Sequence, residues 1–175
     1  VDHVALDACR EKGVMVCNCA GYSTVAVADL VFGMLVGLYR NLLPCDQAVR
    51  KGGTKDGLVG FELEGKKFGV IGTGAIGLRT AKIAQAFGCE VYAYSRTKKE
   101  IPGITYVDLD TLLAACDIIS LHVPPIASDH PLLLAPHTLM TPHVAFATQE
   151  ALWKRAMIVF DNVKKYLEGM PQNEI

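Results

Sequence analysis

The sequence predicts an α/β fold, a doubly wound parallel sheet in three layers, and three observations predict it. Between residues 67 and 121, short apolar segments alternate with helical periodicities, the rhythm of βα units. The apolar run Lys67-Phe68-Gly69-Val70-Ile71 leads straight into Gly72-Thr73-Gly74-Ala75-Ile76-Gly77 and then into a helical pattern. Composition permits a substantial core: 51% of the 175 residues are apolar, with a mean hydropathy of +0.28.

The elements follow in order. Residues 2–12 read as a helix with Asp2 as N-cap and Gly13 as its stop. Residues 14–17 read as a short strand and residues 18–24 as a turn-rich loop. Residues 25–49 form a long helical stretch that Pro44 kinks or divides. Through Tyr39 it is apolar on most sides, which demands burial on several faces and marks a domain seam or dimer interface. Residues 51–60 are a glycine-rich loop. A strand at 67–71, a helix at 75–87, a strand at 90–94 and a short strand near 104–107 come next. A helix at 108–115 and a strand at 117–121 follow, then a further strand at 138–141. Residues 148–169 form a final amphipathic helix with Leu152, Ala156, Val159, Phe160, Val163 and Leu167 on one face.

Strand, glycine turn and helix together make Gly72 to Gly77 a dinucleotide-binding fingerprint of the Rossmann type. In such a turn the first glycine makes the bend, the second admits a pyrophosphate, and the third lets helix and strand pack closely. The helix N-terminus offers free N–H groups to the phosphates. The competing reading is a purely structural turn.

Charge and cysteine content narrow the classes. A net charge of −1 provides no general attraction for nucleic acid or an anionic membrane. Six cysteines are scattered without metal-ligand spacing, so they read as reduced thiols of a cytoplasmic protein, with no metal site. Residues 1–10 lack the apolar core of a signal peptide, and the longest apolar run, 30–39, is too short to span a bilayer. The chain opens on Val1 without an initiator Met and reads as a fragment.

Spaced markers in the right order resemble the D-isomer-specific 2-hydroxyacid dehydrogenases. They are Ala26-Val27-Ala28-Asp29, Leu63-Glu64-Gly65-Lys66-Lys67, the fingerprint itself, Leu121-His122-Val123-Pro124, and Leu139-Met140-Thr141-Pro142-His143. The resemblance covers nearly the whole chain. It implies an NAD(P)-dependent oxidoreductase acting on a small 2-keto acid or D-2-hydroxy acid, and a homodimer. It also implies two domains, so that residues 1–24 are a remnant or linker from the substrate domain and 25–175 are the dinucleotide-binding domain.

One join departs from the family. After Pro124 the family continues through two more βα units, the first carrying an Arg in an Asn-Thr-x-Arg-Gly segment and the second an Asp and a catalytic Glu. Here Pro125-Ile126-Ala127-Ser128-Asp129-His130-Pro131 follows at once. At roughly 30 residues per βα unit, on the order of 60 residues are absent near 124–125. Either they are deleted, or they belong to the protein but not to this sequence; the intact flanks favour the second. The sheet is then incomplete at one side, with an exposed strand edge.

The resemblance makes His143 the general acid/base, a role histidine suits because it titrates near neutrality. The family's Arg clamp and its Glu cannot be assigned, since Arg79, Arg96, Arg155 and Glu150 stand in the wrong contexts. His122, Val123 and Pro124 would line the adenosine side of the cofactor; the alternative for His122 is a strand-end histidine bonded to backbone. His3, His130 and His137 read as surface or loop residues. An NAD enzyme usually places Asp or Glu where Ser95 stands, to bond the ribose 2′-OH. Ser95 removes the repulsion of a 2′-phosphate, and Arg96, Thr97 and Lys98 can bind it, which favours NADP(H) over NAD(H). The alternative there is a solvated basic turn.

Overall fold

The computed structural model describes residues 4–122, 141 and 143–175. They pack as two units, Val1–Ala26 with Ala145–Ile175, and Val27–Val144.

The larger unit holds the sheet. Strands β1 (Lys67–Ile71), β2 (Glu90–Tyr94), β3 (Ile104–Tyr106) and β4 (Ile118–Leu121) are all parallel, in the order β3-β2-β1-β4. Phe68, Gly69 and Val70 of β1 are all buried, as a strand covered on both faces requires. Register pairs Lys67 with Glu90 on one side and Phe68 with Ile118 on the other. Asp117 ties the strand starts together: its carboxylate accepts from Lys67 N at 2.9 Å.

Helix α4 (Ala75–Ala86) connects β1 to β2, and α5 (Leu109–Ala115) connects β3 to β4. Side chains alternate across β1, and the neighbours of adjacent residues differ. A Cβ on Gly69 would run into Leu112 of α5 and Cys116 at its C-terminal end, whereas Val70 lies against Gly77 of α4. The two helices therefore cover opposite faces, giving three layers. Asp108 caps α5 by accepting from Thr111 N at 2.9 Å. Its carboxyl is held below its ordinary value, chiefly by the Thr111 hydroxyl.

The helical stretch over 25–49, expected to be kinked or divided by Pro44, is divided into α2 (Thr24–Tyr39) and α3 (Leu42–Arg50), bent by 56°. The break falls before Pro44, at Asn41, whose φ is +52°. A continuous helix would drive the proline ring into the Arg40 carbonyl; starting a new helix at Leu42 puts Pro44 in a first turn, where no N–H is needed. Phe32 of α2 stacks on Phe68 (5.8 Å) and Phe87 (5.2 Å), anchoring the core. Among the described residues no single helix is long and apolar enough to cross a membrane.

The smaller unit contains α1 (Leu6–Glu11) and α6 (Gln149–Leu167). Helix α1 is shorter than the expected 2–12 and has no side-chain cap, and Asp2 lies outside the described residues. Residues 14–17 form no strand; a single bridge pairs Cys17 with Glu174. Asn162 is buried in α6, donating to Asn18 O at 3.1 Å and accepting from Asn173 Nδ2 at 2.8 Å. The apolar stripe of α6 is largely exposed, Phe160 and Leu167 most of all. The expected strand at 138–141 falls on residues outside those described, Thr141 excepted.

Among the described residues β4 has no neighbour on its outer side, and its Ile119 and Leu121 are exposed.

Candidate functional site

The strand order reverses at β1. The chain leaves β1 for β2 on one side and later returns to β4 on the other. In open α/β sheets, ligands bind outside the carboxyl ends of the strands at such a reversal. The residues that stand there are Gly72, following β1, and His122, following β4.

The three glycines have distinct physical reasons. Gly72 has φ +95°, a conformation that other residues rarely adopt. At Gly77 a Cβ would collide with the Gly72 carbonyl oxygen, so the helix can pack down on the turn only without a side chain. At Gly74 a Cβ would meet nothing within 4 Å, which leaves open space over the backbone. Gly74 is the N-cap of α4, with no side-chain cap and no acidic residue in the first turn. The N–H groups of Ala75, Ile76 and Gly77 precede the first helical bond, from Leu78 N to Gly74 O, and are available to an anion. Thr73 is buried, and its hydroxyl has no partner among the described residues. Open space, free donors and an orphaned hydroxyl fit a dinucleotide phosphate.

Backbone bonds gather the other candidates. Gly72 N donates to Tyr94 O at 2.8 Å, which brings Ser95, the next residue, beside the fingerprint. Ser95 is half-buried, while Arg96 and Thr97 are exposed in the loop beyond. His122 N donates to Ile71 O at 2.8 Å, placing His122 on the opposite side of the turn. Its Nε2 lies 2.9 Å from Ser120 Oγ. Burial pushes the imidazole down from its ordinary 6.5 to about 4, so it is neutral at physiological pH. The alternative of a strand-end histidine bonded to backbone is met only through its own N–H; its ring is bonded to a hydroxyl.

Val123 and Pro124 lie outside the described residues, as do His3, His130 and His137. His143 is exposed. Arg155 lies over the Tyr22 ring at 5.7 Å. Among the described residues no group of three or more His, Cys, Asp or Glu side chains could hold a metal ion.

One residue was missed by sequence reasoning. Lys99 Nζ donates to Thr73 O at 3.3 Å, reaching back from the loop after β2 onto the fingerprint turn. Its signal was the basic run Arg96-Thr97-Lys98-Lys99, but nothing in that run says which cation turns inward.

Residues 32–127 match the family model described as D-isomer specific 2-hydroxyacid dehydrogenase, NAD binding domain. The chain is 39% identical over 135 residues to a glyoxylate reductase of Thermococcus litoralis, covering 70% of this chain and 41% of that protein. It is 41% identical over 126 residues to a hydroxypyruvate reductase of Thermotoga maritima, covering 71% and 41%. The chain thus spans about two fifths of the length of these relatives. An acyclic imino acid reductase solved with NADPH and D-Arg superposes with a TM-score of 0.87 at 26% identity, covering all of this chain and 75% of that one. D-lactate dehydrogenase of Aquifex aeolicus, solved with NAD and lactic acid, superposes with a TM-score of 0.83 at 25% identity, covering 97% and 74%. A D-3-phosphoglycerate dehydrogenase of Archaeoglobus fulgidus aligns with 98% of this chain across 233 positions, more than the 175 residues present. That relative therefore carries internal residues this chain does not, about two βα units' worth at roughly 30 residues each. Fingerprint, strand order and matched family model agree: this chain belongs to the D-isomer specific 2-hydroxyacid dehydrogenases, and the part matched is their NAD binding domain.

Proposed function

We propose that this chain supplies the dinucleotide site of an oxidoreductase that transfers a hydride between NAD(P)H and a small 2-keto acid or its D-2-hydroxy acid, with NADP(H) preferred. The carrying observation is the fingerprint at the sheet's reversal: a positive-φ Gly72, an unobstructed Gly74 and an uncapped α4 N-terminus. The nicotinamide, when bound, supplies or accepts the hydride. Gly72 to Gly77 hold the pyrophosphate through backbone N–H groups. Ser95, Arg96 and Thr97 face the adenosine ribose, and the absence of a carboxylate at Ser95 is what favours a 2′-phosphate. His122, Val123 and Pro124 line the adenosine side. His143 gives a proton to the carbonyl oxygen during reduction and takes it back in the reverse direction. Residues 25–175 are assigned to the dinucleotide-binding domain and 1–24 to a remnant of the substrate domain.

The remaining assignments rest on the sequence. The six cysteines without disulfide or metal spacing support the cytoplasm, and a net charge of −1 argues against nucleic-acid or membrane partners. The apolar stretch 25–39 supports a homodimer; a stable monomer in sedimentation would reject it.

The relatives' internal segment favours a second reading. Without it the chain lacks the Arg and Glu that the family resemblance supplies, and a non-catalytic dinucleotide-binding or dimerisation module results. Turnover of NADPH with glyoxylate, pyruvate or hydroxypyruvate separates the two. Oxidation above the uncatalysed rate supports the enzyme; tight NADPH binding without turnover supports the module.

A further inference from the structure

Helix α6, in the smaller unit, has its faces reversed from the usual order of apolar inside and polar outside. Its buried residues are Ala151 and the polar Asn162. Polar groups hold it to residues 18–22: Asn162 donates to Asn18 O, Lys154 Nζ donates to Gly21 O at 3.0 Å, and Arg155 lies over the Tyr22 ring. Its apolar stripe is what remains exposed, and among the described residues nothing covers it.

The stripe repeats every seven residues. Leu152, Trp153 and Ala156 recur as Val159, Phe160 and Val163, and Tyr166 with Leu167 begins a third repeat. On a helix of 19 residues, an apolar period of seven is the one with which a helix packs along another helix. The first two repeats, together with Arg155, line an open apolar groove of ≈ 470 Å³.

Area and charge select the occupant. Seven large apolar side chains of the stripe are 47–79% exposed, and at roughly 150–250 Å² for each they present on the order of 900 Å². A standard interface takes about 800 Å² from each partner, so this helix supplies one half of an interface and an equal half completes it. A second copy brings that half, with the same seven-residue period. The helix and its C-cap carry four Lys or Arg and three Asp or Glu. Such a mixed surface neither repels its own copy nor forms the cationic face that draws a helix onto an anionic membrane.

We propose that the apolar stripe of α6 is a dimerisation seam that packs against the same stripe of a second copy of this chain about a two-fold axis. The seam is separate from residues 25–39, whose Phe32 and Leu35 are buried in this chain's own core. Trp153 and Phe160 are its anchors, large rigid rings of the kind whose burial dominates an interface. Because the contact is apolar, the association persists at high salt.

Trp153 is the chain's only tryptophan and stands on the seam, so its emission reports the seam directly. The test follows mass by sedimentation and Trp153 emission by fluorescence, using the 175-residue chain across a dilution series. A dimer of twice 18.9 kDa is expected, with blue-shifted emission that moves red as dilution separates the copies. Phe160→Glu is expected to weaken the dimer at least about a hundredfold, because a charge then sits in an apolar contact. Leu38→Glu, on α2, is expected to leave the dimer within about twofold of native. Both side chains are exposed, so circular dichroism of the variants should match the native chain; Leu167→Glu, at the last turn, repeats the reading if Phe160→Glu fails to fold. A monomer at every concentration overturns the proposal, and emission that shifts only on vesicles of phosphatidylserine and phosphatidylcholine assigns the stripe to a membrane surface instead. A dimer that survives Phe160→Glu and Leu167→Glu, or that Leu38→Glu dissociates in their place, puts the interface elsewhere and overturns it equally.

Discussion

Ser120 Oγ and His122 Nε2 lie 2.9 Å apart at the carboxyl end of β4, one hydroxyl holding one neutral ring. Ser120 is buried, and burial holds the His122 pKa at about 4 against an ordinary 6.5. The folded chain therefore resists protonating a ring that the unfolded chain protonates readily. Stability from this group is fully present above about pH 6.5 and is lost as pH falls toward about 4, at up to about 1.4 kcal/mol per pH unit. Denaturant unfolding at pH 7, 6 and 5 should show this slope, and His122→Gln should flatten it. An unchanged slope in the variant would remove His122 as its source.

Two glycines in one turn should respond differently to the same methyl group. At Gly77 a Cβ collides with the Gly72 carbonyl oxygen, which is backbone and cannot swing aside. Gly77→Ala is expected to destabilise the chain by about 1–3 kcal/mol, the usual cost of overpacking, and to abolish dinucleotide binding. At Gly74 the space is open, so Gly74→Ala should fold normally and lose affinity only. Thermal midpoints and NADPH titrations of the two variants check the contrast.

Ser95 sits one residue beyond Tyr94, whose carbonyl accepts from Gly72 N of the fingerprint. A carboxylate there would bond a ribose 2′-OH and repel a 2′-phosphate. Ser95→Asp is expected to shift preference toward NADH by about tenfold or more, the scale of a charge-assisted contact exchanged for a repulsion. Retention of the native NADPH-to-NADH ratio would remove Ser95 from cofactor selection.

His143 is exposed, so its removal should leave the fold intact. In an active protein, His143→Ala is expected to lower kcat by about 10²–10⁴-fold, the contribution of a positioned acid/base group, with dinucleotide affinity unchanged. A variant that keeps the native rate would clear His143 of the proton transfer.

Much of the fold was legible because its signals are local. Strands β1 and β2 fall on the residues their apolar runs indicate, and α4 and α5 end within a residue or two of expectation. Glycines and the Asp108 cap punctuate those segments within a few residues of the elements they bound. Residues 14–17 misled because among the described residues their β-branched character finds no strand to pair with, only one bridge to Glu174 from near the other end of the sequence. The division that Pro44 signals falls a few residues before it because a proline acts on the carbonyl one turn earlier, so the chain bends at Asn41 and leaves Pro44 in a new first turn.

By itself the sequence determined the fold class, the glycine turn and the family, since periodicity and spacing depend on neighbours along the chain. Only the tertiary structure decided what surrounds the turn. Strand order placed β2 on one side of β1 and β4 on the other, and that arrangement set Ser95, Lys99 and His122 around Gly72. These meetings join residues more than twenty positions apart. They depend on parallel register and on which way a loop's side chain turns, and neither is written in any short window of sequence.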